Sequence, residues 1–413
     1  ALIQDTLTRL ERLKWLGEQP PAGTPTSTPT APTAKGAPAP APKPDSATEA
    51  ENRLALAELQ QIAKELGAPA NAQKLGPIRQ EFLTKSAAYL KRDPDNLRVW
   101  TLRGLVALDA GDAAVTEAEK QVVALLKAGQ QDAKAEEFVT LYRRRSVAKD
   151  ASKDAPFINS LGMKFVPVPG TEVLFSVWLT RVQDFEAFVK ETGHNATEGM
   201  FSFRTNEWKR RGDSWKSPGF TQSPQHPVCG VSWDDAQAFA QWLTGKERGA
   251  GMLKAGQSYR LPQDWEWSVA AGLSEPRDGT PGAKDMKIPN VYPWGTQWPP
   301  PNGAGNYAGE EVRGADWAPN RGYIENYRDG YARTSPVGSF GANAFGLYDM
   351  GGNLRQWCED FYVETQTSRA LRGSSWFNAI SQALWLSDRS SSAPTDRTGF
   401  SGFRLVIVMS VHP

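Results

Sequence analysis

Gly346-Leu347-Tyr348-Asp349-Met350-Gly351-Gly352-Asn353-Leu354-Arg355-Gln356-Trp357 is the stretch on which the reading of this chain turns. It condenses a texture that runs from Asn159 onward: short apolar runs punctuated by Gly, Pro, Asn and Trp. Fifteen tryptophans crowd toward the second half of the 413 residues, which points to an irregular fold pinned by aromatic anchors. Phe165 to Val168 and Val173 to Trp178 read as paired short strands. Val182 to Glu191 reads as a helix with Phe185, Phe188 and Val189 on its apolar face.

Five further segments stand around the first in a fixed order. Thr180-Arg181-Val182 leads into Phe185 to Gly193. Pro227-Val228-Cys229-Gly230-Val231-Ser232-Trp233-Asp234-Asp235-Ala236 runs into Phe239 and Trp242, with Ser232 as N-cap and Asp235 three residues on, as in a capping box. Arg260-Leu261-Pro262-Gln263-Asp264-Trp265-Glu266-Trp267 is another helix entry, with Pro262 before its first turn. Tyr292-Pro293-Trp294-Gly295 follows, and Leu371-Arg372-Gly373-Ser374-Ser375-Trp376 leads to the closing Gly402-Phe403-Arg404.

The ordered set resembles the formylglycine-generating-enzyme, or sulfatase-modifying-factor, family over about 250 residues. The resemblance implies an α+β fold, a large variant of the C-type-lectin-like fold with little regular secondary structure, over residues 156–413.

Upstream the chain reads differently. Residues 1–19 form a short amphipathic helix (Leu2, Leu7, Leu10, Leu13, Leu16), too short to be stable alone, so its stripe meets a partner helix or another copy, or it frays. Residues 20–45 are a proline- and alanine-rich spacer that cannot bury enough apolar surface to offset chain entropy. Residues 46–151 are all-α: Leu54 to Leu66 ending at Gly67, then Ile78 to Leu90, then Asp93-Pro94-Asp95-Asn96 with Trp100, Gly104 and Leu108. That last part resembles one tetratricopeptide repeat, with an unrelated small bundle as the alternative.

Charge excludes some roles. Lysine plus arginine number 47 against 46 acidic residues, so no strong field for nucleic acid arises. No run of about 18 apolar residues is present to span a bilayer. Ala1 in place of Met leaves two openings: a removed leader, which would place the protein outside the cytoplasm, or a fragment.

Enzymes of the resembled family bind copper(I) through two thiolates between the Arg-Gly-Gly-Ser stretch and the Gly-Phe-Arg end, and soft thiolate pairs are what copper(I) selects. Here those columns fall near Asn378 and Ala383, and no cysteine occurs after Cys358. No copper is therefore expected, and Cys229 and Cys358 read as inert scaffold thiols. A related branch uses a three-histidine iron site. His194, His226 and His412 are widely spaced and show no ligand pattern. No Gly-x-Ser-x-Gly elbow is present, so no catalytic residue is assigned.

The resemblance also implies structural calcium. One set is Asn306, Tyr307, Asp329 and Tyr331; the other is Asp349, Gly352, Leu354 and Gln356, with glutamine where the family usually has glutamate. Calcium wants six to eight oxygen ligands, which loop carbonyls and carboxylates supply. The competing reading is loop capping by hydrogen bonds to backbone.

Between Trp376 and Phe403, scaffold residues alternate aperiodically with small polar and bulky apolar ones. The expected ligand contacts are Phe377, Asn378, Ile380, Ser381, Trp385, Asp388, Ser390, Ser391, Ser392, Thr398 and Phe400. Lectin-like variable proteins diversified by retroelements use this stretch of this fold for binding. Aromatics flanked by serine and asparagine suit recognition, offering contact area and adaptable hydrogen bonds. The leading expectation is a non-catalytic binding protein for a protein or peptide ligand, with a glycan second. The alternatives are a formylglycine-generating-type oxidase or thiol-independent enzyme, and an adaptor working through its helical region.

Overall fold

A computed structural model describes residues 47–67, 75–110, 112–145, 148–315, 317 and 322–409. The expected helix at 1–19 and spacer at 20–45 lie outside the described residues. The chain divides into two compact units, Ala1–Arg143 and Arg144–Pro413.

The first unit is helical, as its periodicity predicts: α1 (Ala47–Gly67), α2 (Leu75–Leu90), α3 (Leu97–Ala110), α4 (Ala114–Lys127) and α5 (Ala133–Arg145). α2 starts three residues before the expected Ile78. Asn96 caps α3, its Oδ1 accepting from the Val99 N–H at 3.1 Å, while the Trp100 indole donates to the Pro94 carbonyl at 2.8 Å. Gly104 does mark a close approach. A Cβ there would meet the Phe138 ring of α5 at 2.2 Å.

The second unit is α+β. Its central sheet has the order β1 (Phe157–Ile158), β2 (Lys164–Pro167), β3 (Val173–Ser176), β11 (Val406–Val408) and β6 (Ser258–Arg260), with every pair antiparallel. Residues along β3 and β11 alternate between two cores. Leu174 and Ile407 join Phe185, Phe239 and Phe403 on one face; Phe175 and Val406 join Trp267 and Met350 on the other. Both faces are thus covered, which is why these strands read as continuous apolar runs. The first core is roofed by α6 (Val182–Thr192) and α7 (Trp233–Gly249). The Ser232–Asp235 capping box at the entry to α7 is present as read, Ser232 Oγ accepting from the Asp235 N–H at 3.1 Å.

The second core carries α8 (Asp264–Ala271), and the unit also holds the short α9 (Pro281–Lys284) and a four-stranded sheet β10-β7-β8-β9 formed by β7 (Arg355–Phe361), β8 (Arg369–Arg372), β9 (Arg389–Ser392) and β10 (Ser401–Gly402). A separate hairpin, β4 (Met200–Arg204) and β5 (Glu207–Arg211), was not anticipated from the sequence. The opening stretch lies at the centre of the unit. Gly351 has to be glycine there, since a Cβ would stand 2.0 Å from Pro293 Cγ.

Candidate recognition site and family membership

Trp376 is a core residue at 2% exposure; its indole donates to the Gly399 carbonyl at 3.0 Å and its N–H to the Asn353 carbonyl at 3.0 Å. These bonds fix the chain on either side, so the next side chain, Phe377, lies against Phe400. Their rings stack at 5.4 Å and 23°. Phe400 in turn stacks on Trp208 (5.1 Å, 24°), and Trp208 on Phe201 (6.0 Å, 16°). Phe203 meets Phe377 edge-on at 5.3 Å and Trp317 at 6.3 Å. Arg333 lies over Trp317 and Trp376, 3.7 and 4.6 Å from the ring centroids. The result is an aromatic floor reaching the surface at Trp208, 42% exposed.

The hairpin supplies three of these rings. Its turn residues Thr205 and Asn206 both have positive φ (51° and 61°), the geometry of a two-residue turn that matches strand twist. Phe203 pairs directly with Trp208, so both point to the same face as Phe201. The hairpin is fastened to the C-terminal segment: the Phe201 N–H donates to the Arg397 carbonyl at 2.8 Å, and the Gly399 N–H to the Phe201 carbonyl at 3.2 Å.

The expected contact residues divide. Phe377 and Phe400 form the floor. Ile380 is 66% exposed. Ser381 and Trp385 belong to a second aromatic group, Ser381 bonded to the Tyr292 hydroxyl at 2.5 Å and the Trp385 indole donating to it at 3.3 Å; Tyr292 stacks on Trp294 at 4.9 Å. Two expectations need correction. Asp388 is buried and paired with Arg355 at 2.8 Å, and Thr398 is buried against the Ser401 hydroxyl, so neither offers a surface contact. Ser390, Ser391 and Ser392 belong to β9, paired with β8, with Ser391 exposed and the other two half-buried.

The two positions expected for thiolates are filled by other chemistry. Asn378 Oδ1 accepts from the Ser375 N–H (3.1 Å) and from its hydroxyl (2.9 Å), closing a tight turn, and Ala383 lies in a short 3₁₀ turn, Ser381–Leu384. Cys229 and Cys358 are both buried. Burial pushes the Cys229 thiol up to about 12 and Cys358 well above the usual thiol range, which favours the neutral thiol over the thiolate at both. His194 bonds Asp235 at 2.8 Å and His226 bonds Thr334 at 3.0 Å, each fastening loops.

Residues 174–409 match the sulfatase-modifying factor enzyme 1-like domain. The chain belongs to this family. It is 29% identical over 263 residues to a formylglycine-generating enzyme of Streptomyces coelicolor, covering 53% of this chain and 73% of the relative. It is 30% identical over 201 residues to the inactive C-alpha-formylglycine-generating enzyme 2 of Bos taurus, covering 46% of this chain and 54% of that protein. The chain thus spans only about half the length of the bovine relative. Among solved structures, PvdO from Pseudomonas aeruginosa matches with a TM-score of 0.38 at 23% identity, over 57% of this chain and 80% of that one.

The two calcium sets implied by the family resemblance differ in fit. At the first, Asn306 Oδ1 is buried without a hydrogen-bond partner among the described residues. Asp329 holds the following residue, its carboxylate accepting from the Tyr307 and Tyr331 N–H groups at 2.8 Å each. Burial pushes Asp329 up to about 7 despite those donors. A buried amide oxygen without a partner and a desolvated carboxylate bonded to the next residue are hard-oxygen groups of the kind calcium takes. The second set does not fit. Gln356 Oε1 already accepts from the Trp267 indole (2.9 Å) and from Arg404 Nε (2.6 Å), while its Nε2 donates to the carbonyls of Asp349 (2.9 Å) and Met350 (3.3 Å). Carbonyls only accept and the two nitrogens only donate, so the amide orientation is fixed and every group has a partner. Asp349, pushed up to about 6 by burial, has the buried Arg404 as its cationic neighbour.

Gln356→Glu would turn a carboxylate oxygen against two carbonyls. A drop in stability of about 3 kcal/mol or more is expected, read as a lower thermal midpoint, and added calcium should recover part of it. An unchanged midpoint would show that the amide is not holding these carbonyls.

Proposed function

We propose that the second unit is a non-catalytic recognition domain whose ligand is a protein or peptide seated on the Phe377–Phe400–Trp208 floor. The observation that carries this reading is the pairing of two facts at one place. The columns expected for copper thiolates fall near Asn378 and Ala383 in a segment with no cysteine after Cys358, and the surface beside them is a stack of aromatic rings. An oxidase of the family's kind needs sulfur ligands for copper(I), and an amide and a methyl group cannot replace them. Aromatic side chains are the common anchors of protein interfaces, because they bury much area at low entropy cost. That a 30% identical relative bears the name of an inactive enzyme accords with this reading.

The same reading gives the first oxygen set a structural task. Calcium held by Asn306 and Asp329, with main-chain carbonyls nearby, would tie the loop at residues 306–307 to that at 329–331. Its expected effect is a higher thermal midpoint on adding calcium to metal-stripped protein, lost in Asp329→Asn. An equal rise in wild type and variant would place the ion elsewhere.

The direct test is copper(I) titration followed by incubation with a cysteine-containing sulfatase peptide. No stoichiometric copper binding and no aldehyde product are expected. Aldehyde formed at a rate dependent on this protein would replace the binding reading with the enzymatic one.

A further inference from the structure

The hairpin that completes the aromatic floor has one side already occupied. Phe201 of β4 takes the segment at Arg397–Gly399 through its N–H and carbonyl, forming a parallel bridge to Thr398. These two groups therefore point away from β5. In an antiparallel ladder, directly opposed residues alternate between those that bond each other and those whose main-chain groups face outward. Phe201 opposes Arg210, and Phe203 opposes Trp208 two residues along. The N–H and carbonyl groups of Arg210 and Trp208 thus face the outer edge of β5. Among the described residues no strand or bridge pairs with that edge, and β5 is solvent-exposed from Glu207 to Arg210.

We infer that this edge is where ligand enters: an extended, acidic peptide segment adds as a strand beside β5. The inference rests on the recognition reading above and names the partner's chemistry and mode of binding. Strand addition gives affinity through main-chain hydrogen bonds and specificity through alternate side chains. Lys209, Arg210 and Arg211 follow one another on β5, and Glu207 pairs with Lys209 at 3.1 Å and lies 3.8 Å from Arg211, so three cations against one carboxylate leave an excess of two positive charges on the strand. Lysine and arginine on an edge deter indiscriminate strand pairing, and by the same charge they admit a strand bearing carboxylates. Trp208 offers the anchor, since its ring stacks on Phe400 while 42% of it stays exposed for an apolar side chain of the incoming strand. The ligand then continues a small sheet that runs from residues 397–399 through β4 and β5.

The test uses the full chain and three fluorescent peptides of about eight residues: alternating Val and Glu, alternating Val and Lys, and the Val-Glu peptide N-methylated at alternate residues. Binding is read by anisotropy, and amide hydrogen exchange over residues 207–211 is followed alongside. The Val-Glu peptide should bind at least about tenfold more tightly than either control and slow exchange at Trp208 and Arg210. Lys209→Glu with Arg210→Glu should reverse the preference for charge while leaving the thermal midpoint unchanged. Equal binding of the N-methylated peptide, equal binding of the lysine peptide, or no binding of the acidic peptide overturns the inference. Those outcomes leave the floor to be judged separately, by natural-partner recovery with Phe377 and Phe400 changed, so the two readings fail independently.

Discussion

One buried amide holds the second unit together. Gln356, fully enclosed, meets the Trp267 indole from α8, Arg404 from the C-terminal run, and the carbonyls of Asp349 and Met350 from the glycine-rich stretch. Arg404 extends the junction, donating to the Ser176 carbonyl at 2.9 Å and the Tyr348 carbonyl at 2.7 Å. Polar groups removed from water are costly unless hydrogen-bonded, and here four segments are fixed by that cost. A second buried group works alongside it. Burial alone would raise the Asp264 carboxyl, but Arg372 and Arg389 hold it far below the usual range, with Lys284 2.7 Å away. Between them these polar centres do the positioning that long strands and helices do in more regular folds.

The proposed recognition surface follows from that rigidity. β7 and β10 pair in parallel beside Gln356, which places Phe400 one residue before Ser401, and the Trp376 N–H bonded to Asn353 places Phe377 next to it. Both ends of the segment are thereby pinned. Aromatic stacking then fills the space between segment and hairpin, and the same pinned backbone presents Asn378 and Ala383 at the positions expected for copper thiolates.

Much of this was legible in the sequence because it is local. The Ser232 capping box, the apolar runs of β2 and β3 and the α6 face involve residues within one turn or strand, where spacing carries the signal. The floor was only half legible. Phe377 and Phe400 announce themselves in the C-terminal segment, but Phe201, Phe203 and Trp208 lie some 170 residues earlier. Their one available signal was Phe201-Ser202-Phe203, an alternation of apolar and polar residues before Thr205-Asn206, a turn pair that lacks the usual glycine. Asp388 and Thr398 were misplaced for the complementary reason. A polar residue in a loop-like stretch reads as exposed, and only the fold reveals Arg355 and Ser401 waiting as buried partners. The fate of Gln356 was equally hidden, since two of its four partners, Trp267 and Arg404, lie 89 and 48 residues away along the chain.

The central claim is that the aromatic floor, not a metal centre, is the working part of this domain. Partner recovery by the intact protein tests it most directly, comparing wild type with a variant carrying Phe377→Ala and Phe400→Ala after its circular dichroism has been matched. The account predicts that proteins retained by wild type are lost from the variant while the fold persists. Equal recovery of the same partners by both would contradict it.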